Sequence, residues 1–141
     1  MLWITYGLPG LDIGWTTYKL IDKNILPEVK INSKYNSYNT IDDIENNIPD
    51  IYSPTACYFY INKQDNSFYR DQQDCVVWYF KPEIGVYIDA NEELIVSPNL
   101  SEFLSRIDIE ARTWFHQNDL NNLLYEDERN YVEGIKNKEN I

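Results

Sequence analysis

Few residues of this chain have the types that usually do chemistry. It contains one histidine, His116, and two cysteines, Cys57 and Cys75. Histidine is the usual general base near neutral pH, and a thiol beside it could act as a nucleophile. However, no nucleophile signature surrounds either cysteine, and a histidine near a helix end also complements the helix dipole. We therefore expect no catalytic residue, and a hydrolase that pairs His116 with a cysteine is the less favoured alternative.

Carboxylates are plentiful and could in principle hold a metal or hydrolyse a glycoside. They fall in predicted loops or on polar helix faces, where solvated charge is their ordinary role. Two cysteines and one histidine lack the spacing of a zinc site, and neither of the common glycine-rich phosphate-binding motifs occurs. The sequence thus predicts no metal site and no cofactor. The clusters are Asp42/Asp43, Asp71/Asp74, Glu92/Glu93 and residues 126–128.

The length of 141 residues suits one domain with its own core. No apolar run is long enough to span a bilayer, and the first residues lack the pattern of a signal peptide. Two cysteines do not make a disulfide framework. We therefore expect a cytoplasmic protein with reduced thiols and no membrane association.

The formal charge of −11 argues against direct binding of nucleic acid, which needs clustered lysine and arginine. It favours a basic protein partner, because opposite fields speed encounter, although net charge also serves solubility alone. The chain also has 12 tyrosines and 4 tryptophans. Such residues are common at interfaces and equally on half-exposed strands.

Hydrophobic alternation predicts strands first and helices afterwards. After a turn-rich start, a strand is expected over residues 15–21, and a polar stretch with a capped turn at Thr40–Asp43 follows. The spacing of the isoleucines, including Ile41, Ile44 and Ile48, indicates that this stretch packs against the core. Further strands are expected over 56–62, 68–70, 74–80, 85–89 and 93–96, with residues 74–80 central in the sheet.

The sequence of residues 94–107, LIVSPNLSEFLSRI, predicts a strand, a break that ends the strand, and the start of a helix. Asn99 fits the N-cap and Glu102 the third helical position of a capping box. Phe103 and Leu104 belong to an apolar helical face expected to join the sheet. This helix should run to about His116. A second helix is expected over 120–135, with residues 134–141 as a fraying tail.

Residues 74–107 resemble the C-terminal half of the SUKH superfamily, which includes the fungal Smi/Knr cell-wall regulators and many bacterial immunity proteins. The family pattern is an aromatic strand, a hairpin, and a strand leading into a Ser-x-x-Glu-Phe-Leu helix. Asn99, Glu102, Phe103 and Leu104 correspond to that motif, with asparagine in place of serine. Residues 4–20 resemble the segment after the family's first helix, and Gly7 matches its glycine.

The resemblance implies one SUKH-like α+β domain over residues 1–141, in which about five mainly antiparallel strands pack with helices. It also implies a protein without catalysis. Relative to the family, we expect the leading helix to be absent from this sequence. Either the chain is shortened, or the helix around residues 120–135 covers that surface instead.

The family further implies a function, since its bacterial members bind and neutralise toxin domains that are often nucleases. The substrate-binding surface of a nuclease is basic, so an acidic inhibitor is attracted to that surface and can block it. We therefore expect an immunity-type protein. The alternatives are a Smi/Knr-like regulatory scaffold and, since the residue usage fits an AT-rich genome and large DNA viruses carry SUKH-like chains, a viral antagonist of host defence.

Acidic residues next to tryptophans are the predicted partner-binding positions. They are Asp12 with Trp15, and Asp71 and Asp74 near Trp78. Such pairs combine charge with rings that anchor interfaces. The alternative is that both tryptophans belong to the core and that the carboxylates are only solvated.

Overall fold

The computed structural model describes residues 5–8, 13–16, 29–52, 57–71, 76–89, 93–115 and 125–139. In chain order its elements are β1 (Thr5–Leu8), β2 (Ile13–Thr16), a 3-10 turn (Ser33–Tyr35), α1 (Ile41–Asn46), β3 (Tyr58–Asn62), β4 (Ser67–Arg70), β5 (Val77–Lys81), β6 (Gly85–Asp89), β7 (Glu93–Ser97), α2 (Leu100–Phe115) and α3 (Glu126–Glu139).

Strands β3 to β7 form one antiparallel sheet, in which each strand pairs with the next one along the chain. Antiparallel neighbours need only short turns, which agrees with the turn residues between the predicted strands. The predicted α+β domain with a five-stranded sheet is confirmed. β5 is the central strand, as its nearly continuous apolar sequence indicates.

β1 and β2 form a separate antiparallel pair, with Gly7 opposite Gly14. This pair differs from the strand that the sequence predicts over residues 15–21. The observed strand is Ile13–Thr16, and residues 17–21 lie outside the described part of the chain. Glycines lower strand propensity, so alternation alone did not identify β1.

Two backbone positions shape the turns of the large sheet. Gly85 has a φ of 107°, and a side chain there would overlap the carbonyl oxygen of Ser97. Asn66, in the β3–β4 turn, has a φ of 64°, which asparagine tolerates better than most residues. Both positions therefore need the residue types that occupy them.

The inner face of the sheet packs against α2 and forms the core. Phe103 of α2 is fully buried, and its ring centroid lies 5.6 Å from that of Phe68 and 6.1 Å from that of Trp78. A register shift in β4 lets both Phe68 and Tyr69 be buried. Leu104 is also fully buried, so the predicted core role of Phe103 and Leu104 agrees with the structure.

α2 lies between the sheet and a second layer. It contacts β6 and β7 on one side, and the 3-10 turn and α3 on the other; α3 also contacts β2. α2 ends at Phe115, close to the predicted His116. α3 begins at Glu126 and continues past Gly134, where fraying is predicted, to Glu139. One glycine costs a helix only about 1 kcal/mol, and lysine and glutamate nearby favour it.

α1 starts with the capping box that the sequence predicts. The Thr40 hydroxyl accepts from the Asp43 N–H at 3.3 Å, and the Asp43 carboxylate accepts from the Thr40 N–H at 2.9 Å. Ile41 and Ile44 are buried as expected, whereas Ile48 is 52% exposed. The prediction that Ile48 packs against the core is therefore wrong. Ile48 follows the end of α1, so it does not lie on the buried face of that helix.

Candidate functional site

The residues considered for catalysis give no assembled site in the described part of the chain. Cys57 lies just before β3 and is a buried thiol that forms no disulfide. A cysteine in this setting behaves as a small hydrophobic residue. His116 and Cys75 lie outside the described residues, so the absence of catalysis stays a prediction.

The carboxylates of α1 are engaged locally. N–H groups of Asn39 and Thr40 donate to Asp43 and lower the pKa of its carboxyl. Asp42 and Glu45 both contact the Lys63 ammonium, at 2.8 Å and 2.9 Å, and these bonds raise the pKa of Lys63. Among the residues that the structure describes, no group of three or more histidine, cysteine or carboxylate side chains could hold a metal ion.

Two of the predicted partner-binding side chains are buried. Trp78 is fully buried against Tyr69 and Phe103, and its indole N–H finds no acceptor in the described structure. Asp71 is only 2% exposed, and its Oδ1 accepts from the Val76 N–H at 2.9 Å. A surface role for Asp71 and Trp78 is therefore contradicted by their burial. The near-continuous apolar run around Trp78 already indicated a core strand.

The other predicted partner-binding residues cannot be assembled into a surface. Asp12 and Asp74 lie outside the described residues, and Trp15 is placed only as a backbone position in β2, opposite Tyr6. The structure thus brings none of the predicted acid–tryptophan pairs together on a described surface.

The motif at the start of α2 has a structural role. The Asn99 side chain accepts from the Glu102 N–H at 2.8 Å, as expected for an N-cap. The Glu102 carboxylate accepts from the Arg106 guanidinium at 2.6 Å, one helical turn away. Asn99, Glu102, Phe103 and Leu104 therefore define how α2 begins and where it packs. Gly7 lies in β1.

An exposed acidic and aromatic surface lies elsewhere, on α1 and the segment after it. We call this surface the acidic rim and define it by Asp42, Glu45, Ile48, Asp50 and Tyr52. Tyr52 is 78% exposed and Ile48 is 52% exposed, and Asp50 between them along the chain is exposed too. Asp42 and Glu45 are exposed on α1, where both are ion-paired with Lys63. Pro49 is buried and the Tyr38 hydroxyl donates to the Asn47 carbonyl at 2.7 Å, so the backbone of the rim is held against the core.

The sequence does not predict the acidic rim, because the spacing of the isoleucines places Ile48 in the core. The available signal was the sequence 48–54, IPDIYSP, in which closely spaced prolines interrupt regular structure. Such a loop can expose its apolar side chains. By the same rule, Ile48 belongs to the loop and is not expected to be buried with Ile41 and Ile44 of the helix.

The side of α2 that faces away from the sheet carries buried charges. The Arg112 guanidinium bonds to Glu128 of α3 and lies 3.3 Å from Asp108, which also contacts Lys34 at 3.4 Å. Burial alone would raise the pKa of Glu128, but hydrogen bonds from Arg112 and from the Tyr125 N–H outweigh burial and lower it. These charges connect α2 to α3 and to the 3-10 turn segment.

Glu110 lies deeper on the same side. The Tyr131 hydroxyl donates to Glu110 Oε1 at 3.4 Å, and Glu110 Oε2 has no partner in the described structure. Burial raises the pKa of Glu110 to about 8, against the opposing charge of Arg106 and the Tyr131 hydrogen bond. The group is therefore protonated at neutral pH and is enclosed between helices, away from any described cleft.

A shallow depression of about 260 Å³ lies between the N-terminal end of α1 and two turns of the sheet. Its lining residues are Thr40, Ile41, Asp42, Lys63, Asn66, Phe80 and Pro82. Among these described lining residues Lys63 is the cation, and it is already bound by two carboxylates, so they offer no free positive charge to an anionic ligand.

Comparison with known proteins adds no relative: no family model, no curated protein and no solved structure matches the chain. Among the described residues, no helix is long and apolar enough to cross a membrane.

Proposed function

We propose that this chain is a non-catalytic protein-binding module of the immunity type, which binds and neutralises a basic, nuclease-like toxin domain. The observation that carries the proposal is the acidic rim, where exposed Asp50 lies between exposed Ile48 and Tyr52 along the chain. The resemblance of residues 74–107 to the SUKH superfamily supports the same class of function.

The composition of the acidic rim matches a basic partner. A nuclease domain needs cations to hold phosphate, and those cations attract a chain with a net charge of −11. Charge mainly speeds the encounter, whereas a well-packed aromatic ring supplies much of the affinity at an interface. The rim offers both, with Asp50 and the net charge of the chain for steering and Tyr52 as the anchor.

The first experiment identifies the partner and measures the charge dependence. The tagged chain captures its partner, and the purified partner is then titrated at rising salt concentration. We expect a basic protein whose association slows as salt screens the charges. A neutral partner, or an association rate that ignores salt, would contradict the proposal.

The second experiment locates the binding surface. Tyr52→Ala should weaken binding about tenfold or more, and Asp50→Lys should slow association several-fold. Asp127→Lys on α3 is the matched control, because it reverses an exposed carboxylate on a different element. If only Asp127→Lys slows association, the acidic rim is the wrong surface. Asp71→Lys is unsuitable, because Asp71 is buried.

A third experiment tests the absence of catalysis. Wild type and His116→Ala are screened against broad hydrolase substrates, and we expect no turnover from either. Turnover that disappears in His116→Ala would replace the binding module with a hydrolase.

A further inference from the structure

The contact between α2 and α3 differs from the contact between α2 and the sheet. Among the described side chains of α3, Tyr131 and Val132 are the buried apolar ones. The sheet, in contrast, meets α2 with a cluster of buried aromatic rings. Because burial of apolar area supplies most of the stability of such contacts, we expect α3 to open more readily than the sheet unfolds.

A carboxyl group is enclosed where α3 lies on α2. Glu110 is 4% exposed, and its Oε1 accepts from the Tyr131 hydroxyl at 3.4 Å. That distance is long for a hydrogen bond between oxygens, and Glu110 Oε2 has no partner in the described structure. An ionised carboxylate that is removed from water needs several donors, and this one has a single long bond. The geometry therefore favours the protonated acid while α3 is in place.

The nearest cation does not reverse this preference. Arg106 lies one helical turn before Glu110, but its guanidinium donates to Glu102 at 2.6 Å and lies 5.5 Å from the Tyr131 ring centroid. Burial is the largest influence on Glu110, and it raises the pKa of the carboxyl to about 8 against the charge of Arg106 and the bond from Tyr131.

The other charged groups around α2 meet this helix at a different position. Arg112 bonds to Glu128 of α3 and lies 3.3 Å from Asp108. From the 3-10 turn, Lys34 and the hydroxyl of Tyr35 also contact Asp108. β6 and β7 face the core with buried side chains that carry no charge, namely Val86, Ile88 and Val96.

Among the described groups at the contact of α2 with α3, Glu110 is the one whose charge changes near neutral pH. Burial would raise the pKa of Glu128, but hydrogen bonds from Arg112 and the Tyr125 N–H lower it, so this carboxylate stays ionised. Burial raises the pKa of Tyr131 well above its ordinary value, so the hydroxyl keeps its proton. The guanidinium of Arg112 stays charged at every pH in this range.

We infer that α3 is a pH-dependent clamp on α2, which is closed while Glu110 is protonated and opens from the folded sheet when this carboxyl meets water and ionises. The inference does not rest on the proposed function. Opening uncovers Arg106 and Glu110 on α2, and it leaves the aromatic core between α2 and the sheet intact.

The direction of the pH dependence follows from the two states of Glu110. In the closed state burial holds its pKa at about 8, and in the open state the pKa returns to the ordinary 4.5. Below the ordinary pKa both states hold the proton, and the clamp has its full strength. As pH rises from there to the raised pKa, each opening releases one proton to water. The closed state therefore becomes about tenfold less favoured for each pH unit.

Hydrogen exchange of backbone amides, corrected for the intrinsic pH dependence of exchange, measures the opening of each element. In wild type, amides of α3 should be less protected than those of β5 at every pH, because α3 opens while the sheet stays folded. Protection of α3 should fall about tenfold per pH unit between about pH 5 and pH 8. Equal protection of α3 and β5 would overturn the inference, since α3 would then open only on global unfolding.

Variants assign the pH dependence to one carboxyl. Glu110→Gln keeps the shape of the side chain and removes the titration, so protection of α3 should be the same at both ends of the pH range. Asp127→Asn is the matched control, because it removes an exposed carboxylate from the same helix, and it should behave as wild type does. A pH dependence that persists in Glu110→Gln belongs to another group, such as His116, and would overturn the inference.

A second variant and a direct titration keep the inference testable if Glu110→Gln folds poorly. The bond from Tyr131 lowers the pKa of Glu110, so Tyr131→Phe should move the upper end of the pH dependence to higher pH. An unchanged upper end would contradict the contact on which the clamp depends. Carbon NMR of wild type labelled at the glutamate carboxyls should show one group that titrates at about pH 8. If every glutamate titrates near the ordinary value, the clamp is absent.

Discussion

The two sides of α2 bury side chains of different chemistry. Toward the sheet, Leu100, Phe103 and Leu104 are fully buried in an apolar, aromatic core. Away from the sheet, the buried side chains include Arg106, Asp108 and Glu110.

An apolar contact gains free energy from burial without needing a particular partner, whereas a buried charge is tolerated only when its partners are in place. The two sides should therefore respond differently to substitution and to pH.

The largest effect is expected on the apolar side. Phe103→Ala should lower the free energy of unfolding by about 3–5 kcal/mol, because it removes a ring packed between Phe68 and Trp78 and leaves a cavity. Chemical denaturation measures the loss, with Tyr125→Ala as an exposed aromatic control. A Phe103→Ala protein as stable as wild type would refute the placement of α2 on the sheet.

The second-largest effect on stability is expected on the polar side of α2, and it depends on pH. Glu110 holds a proton in the folded state up to its raised pKa of about 8, whereas the unfolded chain loses it near the ordinary value of 4.5. Between these values the folded state binds more protons, so this group's contribution to stability is full at low pH and is lost as pH rises. We expect Glu110→Gln to gain roughly 2–4 kcal/mol over wild type between pH 5 and pH 8.

Denaturation curves of wild type and Glu110→Gln across this pH range make the measurement. Glu83→Gln, at an exposed turn position, serves as the control and should track wild type. A constant difference between Glu110→Gln and wild type at every pH would mean that Glu110 does not change its protonation on folding.

The ion pair between α2 and α3 should matter less, because Arg112 is partly exposed. Arg112→Met leaves Glu128 buried without its main partner, and we expect a loss of about 2 kcal/mol, below the value for a fully buried pair. Arg112→Met combined with Glu128→Leu should recover part of this loss. A double variant that is less stable than the single one would show that Glu128 stabilises the fold through another bond, such as the one it accepts from the Tyr125 N–H.

The smallest effect on the free energy of unfolding is expected from the N-cap of α2. Asn99→Ala should cost about 1 kcal/mol, through loss of the hydrogen bond from the Glu102 N–H. Asn99→Ser keeps a capping oxygen and should stay close to wild type. Equal losses in the two variants would point to a role of Asn99 other than capping.

Local chemistry made part of this structure predictable. The caps at Thr40 and Asn99 depend on residues within a few positions of each other, so sequence spacing identified them. The five strands and the apolar side of α2 followed from periodicity. Asp71 and Trp78, which the sequence predicts on a binding surface, are buried, because the type of a side chain does not say which way its strand faces.

The sequence by itself determined the five strands of the large sheet, the α+β order and the net charge of −11. Only the tertiary structure decided which charges are buried and which rings stay exposed. It placed Glu110 beside Tyr131, 21 positions away, and left Tyr52 and Tyr60 on the surface. Periodicity depends only on residues that are close together in the sequence. Burial depends on how elements that are distant in the sequence pack together, and this packing decides which side chains form the interaction surfaces.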